Sequence, residues 1–241
     1  MAKIELSRDG DVFVLTFNRP AQGNAIDGDM LDELMTALDT VEDEPGNAAL
    51  LLVSRDPKNW SVGLDLEYIQ ANGGYGFLFR EFAPRVDAML ARLALLRRPT
   101  VAAISGHAYG GGALIASACD FRLMRADRGR FCFPEVDLKL AFTPTMLATV
   151  QLLPAPAAAW ELAMTGRAVG GEEAAAMGIV SSAHSEEALE PKAMELARSL
   201  ASKDAQTYAT IKLDWRVKFA QATTAADSAV PLAATSITSA R

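Results

Sequence analysis

Residues 100–125, TVAAISGHAYGGGALIASACDFRLMR, constrain the fold more than any other stretch of this chain. TVAAIS is a short apolar run rich in β-branched residues, which reads as a buried strand. It passes through GHAYGGG into a helix, ALIASAC, and out to a second strand, FRLMR. A strand, a glycine turn, a helix and another strand in so few residues require a crossover connection. That excludes an all-α bundle and favours an α/β layering.

The rest of the chain repeats this alternation. IELS, the turn RDGD with its Asp9-Gly10 signal, and VFVLTFN read as a hairpin. From Asp27 to Val41, residues Met30, Leu31, Leu34, Leu38 and Val41 fall at helical spacing, with Asp27 placed to cap. ALLLVS, residues 49–54, is a second buried strand. The stretch from Glu67 to Leu96 contains GGYGFLF, whose glycines predict a mobile loop. GGYGFLF itself is residues 73–79 within that stretch, and a helix carrying Val86, Met89, Leu90, Leu93 and Leu96 follows it. Beyond Pro154 the chain is alanine-rich and helical, broken at Thr165-Gly166, Gly170-Gly171 and Gly178. This divides the chain into a core over 1–190 and a C-terminal helical region over 191–241.

Composition narrows the function classes. Half of the 241 residues are hydrophobic, enough to bury a sizeable core. The net charge of -7 offers no general attraction to nucleic acid or acidic membranes, although Arg97 and Arg98 form a local cationic pair. Neither of the two cysteines, Cys119 and Cys132, belongs to a close pair, so buried thiols in a reducing compartment are expected. His107 and His184 sit in no metal-ligand spacing, and no metal is expected. No run approaches the roughly 20 clean apolar residues of a membrane span. The expectation is a cytoplasmic protein with neither nucleic-acid nor membrane partners.

Three motifs carry chemistry. Gly110, Gly111 and Gly112 precede a helix, where they form a turn, a packing contact or an anion site; the free N–H groups and helix dipole there can hold an oxyanion. In WSVGLDL, residues 60–66, Gly63 permits a sharp turn. Either Asp65 merely caps a helix there, or the Leu64 amide points toward the first amide site. In FCFPEVDL, residues 131–138, Glu135 lies among apolar residues, where desolvation raises a carboxyl pKa into the range of proton transfer; the alternative is a paired structural glutamate.

In order along the chain, NRPAQGNAI, WSVGLDL, RRPTVAAISGHAYGGGALIASACDFRLM, FPEVDL and TGRAVGGEEAAAMGIVSSAH resemble the signatures of the crotonase superfamily, the enoyl-CoA hydratase/isomerase family. The resemblance implies a spiral core of ββα units with a C-terminal helical subdomain that assembles trimers or dimers of trimers. It implies an acyl-CoA thioester substrate and no separate cofactor. The Leu64 and Gly111 amides would be oxyanion donors. Ala25, Ile26, Gly63, Asp65 and Leu66 would match the stretches that hold the CoA adenine and ribose, and Arg19 and Lys58 are candidates for its phosphates.

Family hydratases carry a glutamate two residues beyond the triple glycine and a second in the P-E motif. Here the first position is Leu114, and the next acidic residue is Asp120; the second glutamate is present as Glu135. One carboxylate suits an enoyl-CoA isomerase that takes a proton from C2 and returns it to C4. CDFRLMRADRG followed by PEVDL is similar to the isomerase branch, peroxisomal-type members in particular. The alternatives are a hydratase with a second acid elsewhere, Asp137 if the backbone is irregular, and a catalytically silent acyl-CoA-binding member. Tyr109 either lines the site or packs. Lys139 stands where many members have glycine, and LAFTPTM follows it, so the wall of the acyl pocket is where this chain departs from the pattern.

Overall fold

The computed structural model describes residues 2–228. Strands β1 (Ile4–Asp9) and β2 (Val12–Phe17) pair antiparallel, with Gly10 at φ 60° in the turn between them. Helix α1 (Gly28–Glu42) follows, and Asp27 caps it by accepting the Met30 N–H at 3.0 Å. The chain then adds strands in pairs: β3 (Ala49–Ser54) with β4 (Asn59–Ser61), β5 (Thr100–Ile104) with β6 (His107–Tyr109), and β7 (Phe121–Arg125) with β8 (Phe131–Cys132). A last strand, β9 (Ser182–His184), closes the series.

The first member of each pair joins a six-stranded sheet of order β1-β2-β3-β5-β7-β9, parallel from β2 onward. The second member joins a parallel three-stranded sheet, β4-β6-β8. Each winding therefore places one strand in each sheet before a helical passage. This is the ββα spiral that the sequence resemblance implied.

The strand sequences explain this layering. β3 is buried along its whole length, and successive side chains go to opposite faces. Leu50, Leu52, Ala102 and Ile104 enter the main core, whereas Leu51, Val53, Val101 and Ala103 enter a second apolar layer. Helix α10 (Glu186–Ala201) covers that second face with Leu189, Ala193, Ala197 and Ala201, four residues apart on one stripe. A parallel sheet covered on both faces needs continuous apolar runs, which is why ALLLVS and TVAAIS show no alternation.

The expected loop after Glu67 is helical instead. Helix α2 (Leu66–Ala71), helix α3 (Gly74–Phe77), a π-helical turn (Leu78–Phe82) and helix α4 (Ala83–Ala94) run almost without interruption. The glycines make only the corner, with Gly73 at φ 120° and Gly74 at φ 63°. Tyr68, Phe77 and Phe82 pack across it, with ring centroids 5.5–5.8 Å apart, and so fix the segments that the glycines join.

Helix α5 (Gly111–Ala118) is buried at every residue. Helix α6 (Glu135–Leu138) is a single turn, followed by α7 (Pro144–Val150), α8 (Pro156–Thr165) and α9 (Gly171–Ala176). Gly166 and Gly178, at φ 67° and 74°, stand at the breaks that the sequence marked. Helices α11 (Ala205–Trp215) and α12 (Val217–Ser228) complete the described chain.

Asp120, just beyond α5, accepts from Lys212 at 2.9 Å, Arg216 at 3.0 Å and Tyr208 at 3.1 Å, and so ties α11 to the core. Cys119 and Cys132 are buried and unpaired. Among the described residues, no helix is long and apolar enough to cross a membrane.

Candidate active site

The site forms where the ends of β4 and β6 meet. Because those strands are paired, the turn after Ser61 lies against the turn after Tyr109. Gly63 has φ 90°, and a β-carbon there would sit 2.7 Å from the Tyr109 carbonyl oxygen and 2.8 Å from the Gly111 nitrogen. A β-carbon on Gly111 would lie 3.4 Å from the Leu64 nitrogen. The close approach of two backbones is therefore what both glycines serve, and it makes the Leu64 and Gly111 nitrogens neighbours.

Ile26 donates to the Gly63 carbonyl at 2.8 Å and accepts from the Asp65 N–H at 2.9 Å, so this bridge uses the groups flanking Leu64 and leaves its own N–H facing away. Gly111 opens α5, where an N–H has no intrahelical acceptor. Among the described residues, neither N–H has a backbone partner.

Two segments proposed for ligand contact thus come together: residues 25–26 and 63–66. Arg19 clamps them by donating to the Ala25 carbonyl at 2.6 Å and to Asp65 at 2.7 Å, with Asp27 3.3 Å away. These contacts engage its guanidinium with two acids of the same site. Asp65 does cap α2, accepting the Tyr68 N–H at 2.9 Å, so the capping reading and the juxtaposition both hold. Leu66 is exposed at the rim. Lys58 is exposed at the other end of β4, before its first residue.

Glu135 faces the same place. It starts α6 directly after Pro134, and a β-carbon on Gly110 would lie 3.3 Å from its Oε1. Among the described residues, its Oε2 is buried without a hydrogen-bond partner. Burial pushes its carboxyl up to about 7, opposed only in part by its own backbone N–H.

Leu64, Gly110, Gly111 and Glu135 border one cavity of about 100 Å³, whose remaining wall is almost wholly aliphatic. Leu114, one helical turn beyond Gly111, is part of that wall and 2% exposed. The only other oxygen-bearing side chain in the lining is Thr143. Its hydroxyl donates to Asp87 at 2.7 Å and accepts the Met146 N–H at 3.1 Å.

The other acidic candidates stand elsewhere. Asp120 is in the buried ion cluster, and a β-carbon on Gly166 would collide with the Asp137 carboxylate. Glu135 and Asp137 share a helical turn, in which residues two apart diverge. Tyr109 lends its carbonyl to the Gly63 contact but is not in the cavity lining.

The sequence profile of the enoyl-CoA hydratase/isomerase family matches residues 7–233. The chain belongs to the enoyl-CoA hydratase/isomerase family. It is 32% identical to the carnitinyl-CoA dehydratase of Escherichia coli over 216 residues, covering 88% of this chain and 80% of that one. It is 30% identical to the peroxisomal enoyl-CoA delta isomerase 2 of Arabidopsis thaliana over 215 residues, 86% and 89% of the two chains. Among solved structures, an enoyl-CoA hydratase from Bacillus anthracis superposes with a TM-score of 0.79 at 26% identity, over 94% of this chain and 90% of that one.

For this enoyl-CoA hydratase/isomerase family member, the motifs found the amide pair and the carboxylate but not most of the cavity wall. Leu78 and Phe79 come from the π-helical turn, and Leu138, Thr143 and Met146 from the stretch after P-E. No short motif marks these residues. They reach the cavity through helix packing, and the only signal was the departure at Lys139 and LAFTPTM.

Proposed function

We propose that this family member is an enoyl-CoA isomerase that moves a 3-enoyl-CoA double bond to the 2-position. The observation that supports this reading most is a cavity with one carboxylate and two amides that lack a backbone partner among the described residues, and with Leu114 where a second carboxylate would stand. In this reading the Leu64 and Gly111 N–H groups donate to the thioester oxygen and stabilise the enolate formed there. One such donor is typically worth a factor of about 10² to 10³ in rate.

Glu135 takes a proton from C2 as the enolate forms, and the protonated Glu135 returns it at C4. The double bond is then conjugated and the proton count is unchanged. A carboxyl near pKa 7 suits both halves of this cycle at neutral pH. Hydration or dehydration would require a further group to hold and protonate water, and the aliphatic wall at Leu114 supplies none.

The backbone of Ala25, Ile26, Gly63, Asp65 and Leu66 holds the adenine and ribose of CoA in this proposal, and no cofactor is needed beyond the CoA that the substrate carries. The region 1–190 carries every group named here, and the region 191–241 serves assembly into a homotrimer or dimer of trimers. Ile211 at 62% and Trp215 at 87% exposure on α11 support an assembly face.

The test is a paired assay with trans-3-hexenoyl-CoA, followed by conjugated thioester absorbance, and crotonyl-CoA, followed by its loss on hydration. Isomerisation without hydration, abolished by Glu135→Gln, is expected. Efficient hydration of crotonyl-CoA refutes the one-carboxylate mechanism.

A further inference from the structure

We propose that Arg19 is a positioning residue for the oxyanion site, aiming the Leu64 N–H through two peptide groups in series. The inference rests on the acyl-thioester reading of that site and adds to it a residue outside the cavity lining.

The two amides of the pair are oriented in different ways. The Gly111 N–H belongs to the peptide group whose carbonyl, on Gly110, accepts the Leu114 N–H at 2.9 Å. That bond is part of α5, so the helix itself aims this amide. Leu64 lies between β4 and α2, outside any regular element. Its N–H shares a peptide group with the Gly63 carbonyl, and in a trans peptide the two point in opposite directions. Whatever fixes the Gly63 carbonyl therefore aims the Leu64 N–H.

Ile26 fixes it, donating at 2.8 Å. The Ile26 N–H in turn shares a peptide group with the Ala25 carbonyl, which accepts from Arg19 Nη1 at 2.6 Å. The bonds thus run head to tail, from the guanidinium through one peptide group to the next and on to the site. A charged donor at the head strengthens the bonds that follow.

This support is needed because the bridge between Ile26 and Leu64 is one residue wide. Among the described residues, Arg19 is the only side chain bonded to both residues 25–27 and residues 63–65. The same Nη1 holds Asp65 at 2.7 Å, and Nη2 lies 3.3 Å from Asp27. Those carboxylates cap α2 and α1, so one guanidinium sets the starts of both helices against the bridge. Its own base is firm. The Arg19 N–H donates to Asn24 Oδ1 at 2.8 Å, and the buried Asn24 amide donates to Ser54 at 2.8 Å and to the Trp60 carbonyl at 3.0 Å.

The test reads the thioester carbonyl directly. Hexanoyl-CoA labelled with carbon-13 at C1 is bound to the full chain at saturation. Isotope-edited infrared spectra isolate its carbonyl stretch, which falls as the oxygen accepts stronger hydrogen bonds. Wild type, Arg19→Met and Arg19→Lys are compared, with affinity for hexanoyl-CoA measured by titration calorimetry. In wild type the band is expected well below that of the free thioester. Arg19→Met is expected to reverse a large part of that displacement. It is also expected to lower kcat for trans-3-hexenoyl-CoA about tenfold, with KM changed less than about threefold. Arg19→Lys should recover part of both losses, since it keeps a charged donor but not the fork.

A band in saturated Arg19→Met identical to that of wild type overturns the inference and leaves the reading of the site intact. Loss of hexanoyl-CoA binding in that variant also overturns it, because Arg19 would then hold the ligand rather than aim the amide. If wild type binds no hexanoyl-CoA, or binds it without displacing the band, the reading of the site falls and this inference with it. If wild type displaces the band but does not isomerise, only the reaction assignment is lost and the band alone decides.

Arg19→Met strands Asp65 without its cation. Should circular dichroism show that variant unfolded, Arg19→Met/Asp65→Asn replaces it and is compared with Asp65→Asn, in which asparagine still caps α2 and carries no charge to strand. The same loss of displacement is expected between those two, and its absence overturns the inference.

Discussion

At the scale of the residue, Glu135 concentrates the chemistry because it is buried without being paired. Its Oε2 has no partner, and desolvation raises its carboxyl to about 7. Acting as the base, it must be ionised in the free protein. We therefore expect kcat/KM for a 3-enoyl thioester to rise about tenfold per pH unit on the acid side and level off above about 7. The same shift affects stability with the opposite sense. The folded state binds this proton more tightly than the unfolded chain, so the stabilisation is complete below the ordinary carboxylate range and is lost as pH rises through about 7. Glu135→Gln should remove that slope. Relative to wild type, it should gain stability at pH 8 over pH 4.5 by on the order of 2–3 kcal/mol in urea unfolding. Glu135, Gly63 and Gly111 were legible in the sequence because each answers a local demand: a carboxylate in an apolar run, a turn whose backbone tolerates no β-carbon at Gly63, and a glycine run opening a helix at Gly111. Thr143 was not legible, since its hydroxyl acquires meaning only from Asp87 on a helix distant in sequence.

Single elements show why the acyl wall was the least readable part. α6 is one turn long and ends at Lys139, whose φ of 57° is the left-handed conformation that glycine adopts without cost. A residue with a β-carbon adopts this conformation only under strain. Lys139→Gly is expected to stabilise the protein by about 0.5–1 kcal/mol, the relief of left-handed strain less the added entropy of glycine, measured by equilibrium denaturation. The sequence could show that a lysine stood there but not that the backbone had stayed left-handed around it. Similarly, GGYGFLF promised a loop because glycine pairs are local signals. The rings of Tyr68, Phe77 and Phe82, which keep the segment helical, act through space. Strands β3 and β5 were read correctly because burial on both faces leaves an unbroken apolar run that no exposed element shares.

The whole molecule is held at its C-terminal side by a charge cluster. Burial alone would raise the Asp120 carboxyl, but Lys212 and Arg216 more than offset this and hold it below the usual range. Both cations are themselves buried, and Arg216 also donates to the Ala94 carbonyl at 2.6 Å and the Ala118 carbonyl at 2.8 Å. Asp120→Asn leaves two buried cations without a counter-charge. It is expected to cost about 3–5 kcal/mol in equilibrium unfolding, because removing one partner of a buried pair is far worse than never having had it. The sequence located Asp120 but gave no hint of this role, since Tyr208 and Lys212 lie on α11 and Arg216 just after it, far along the chain. The adjacency of the Leu64 and Gly111 nitrogens has a consequence in time as well as in space. One comes from the first winding of the spiral and the other from the next, so neither winding alone contains the oxyanion pocket of the proposed mechanism. A chain emerging from the ribosome can form helices and pair neighbouring strands early, but contacts between windings carry a larger loop-closure cost. Turnover is therefore expected to return later than helical circular dichroism in a refolding experiment, marking the docking of successive windings.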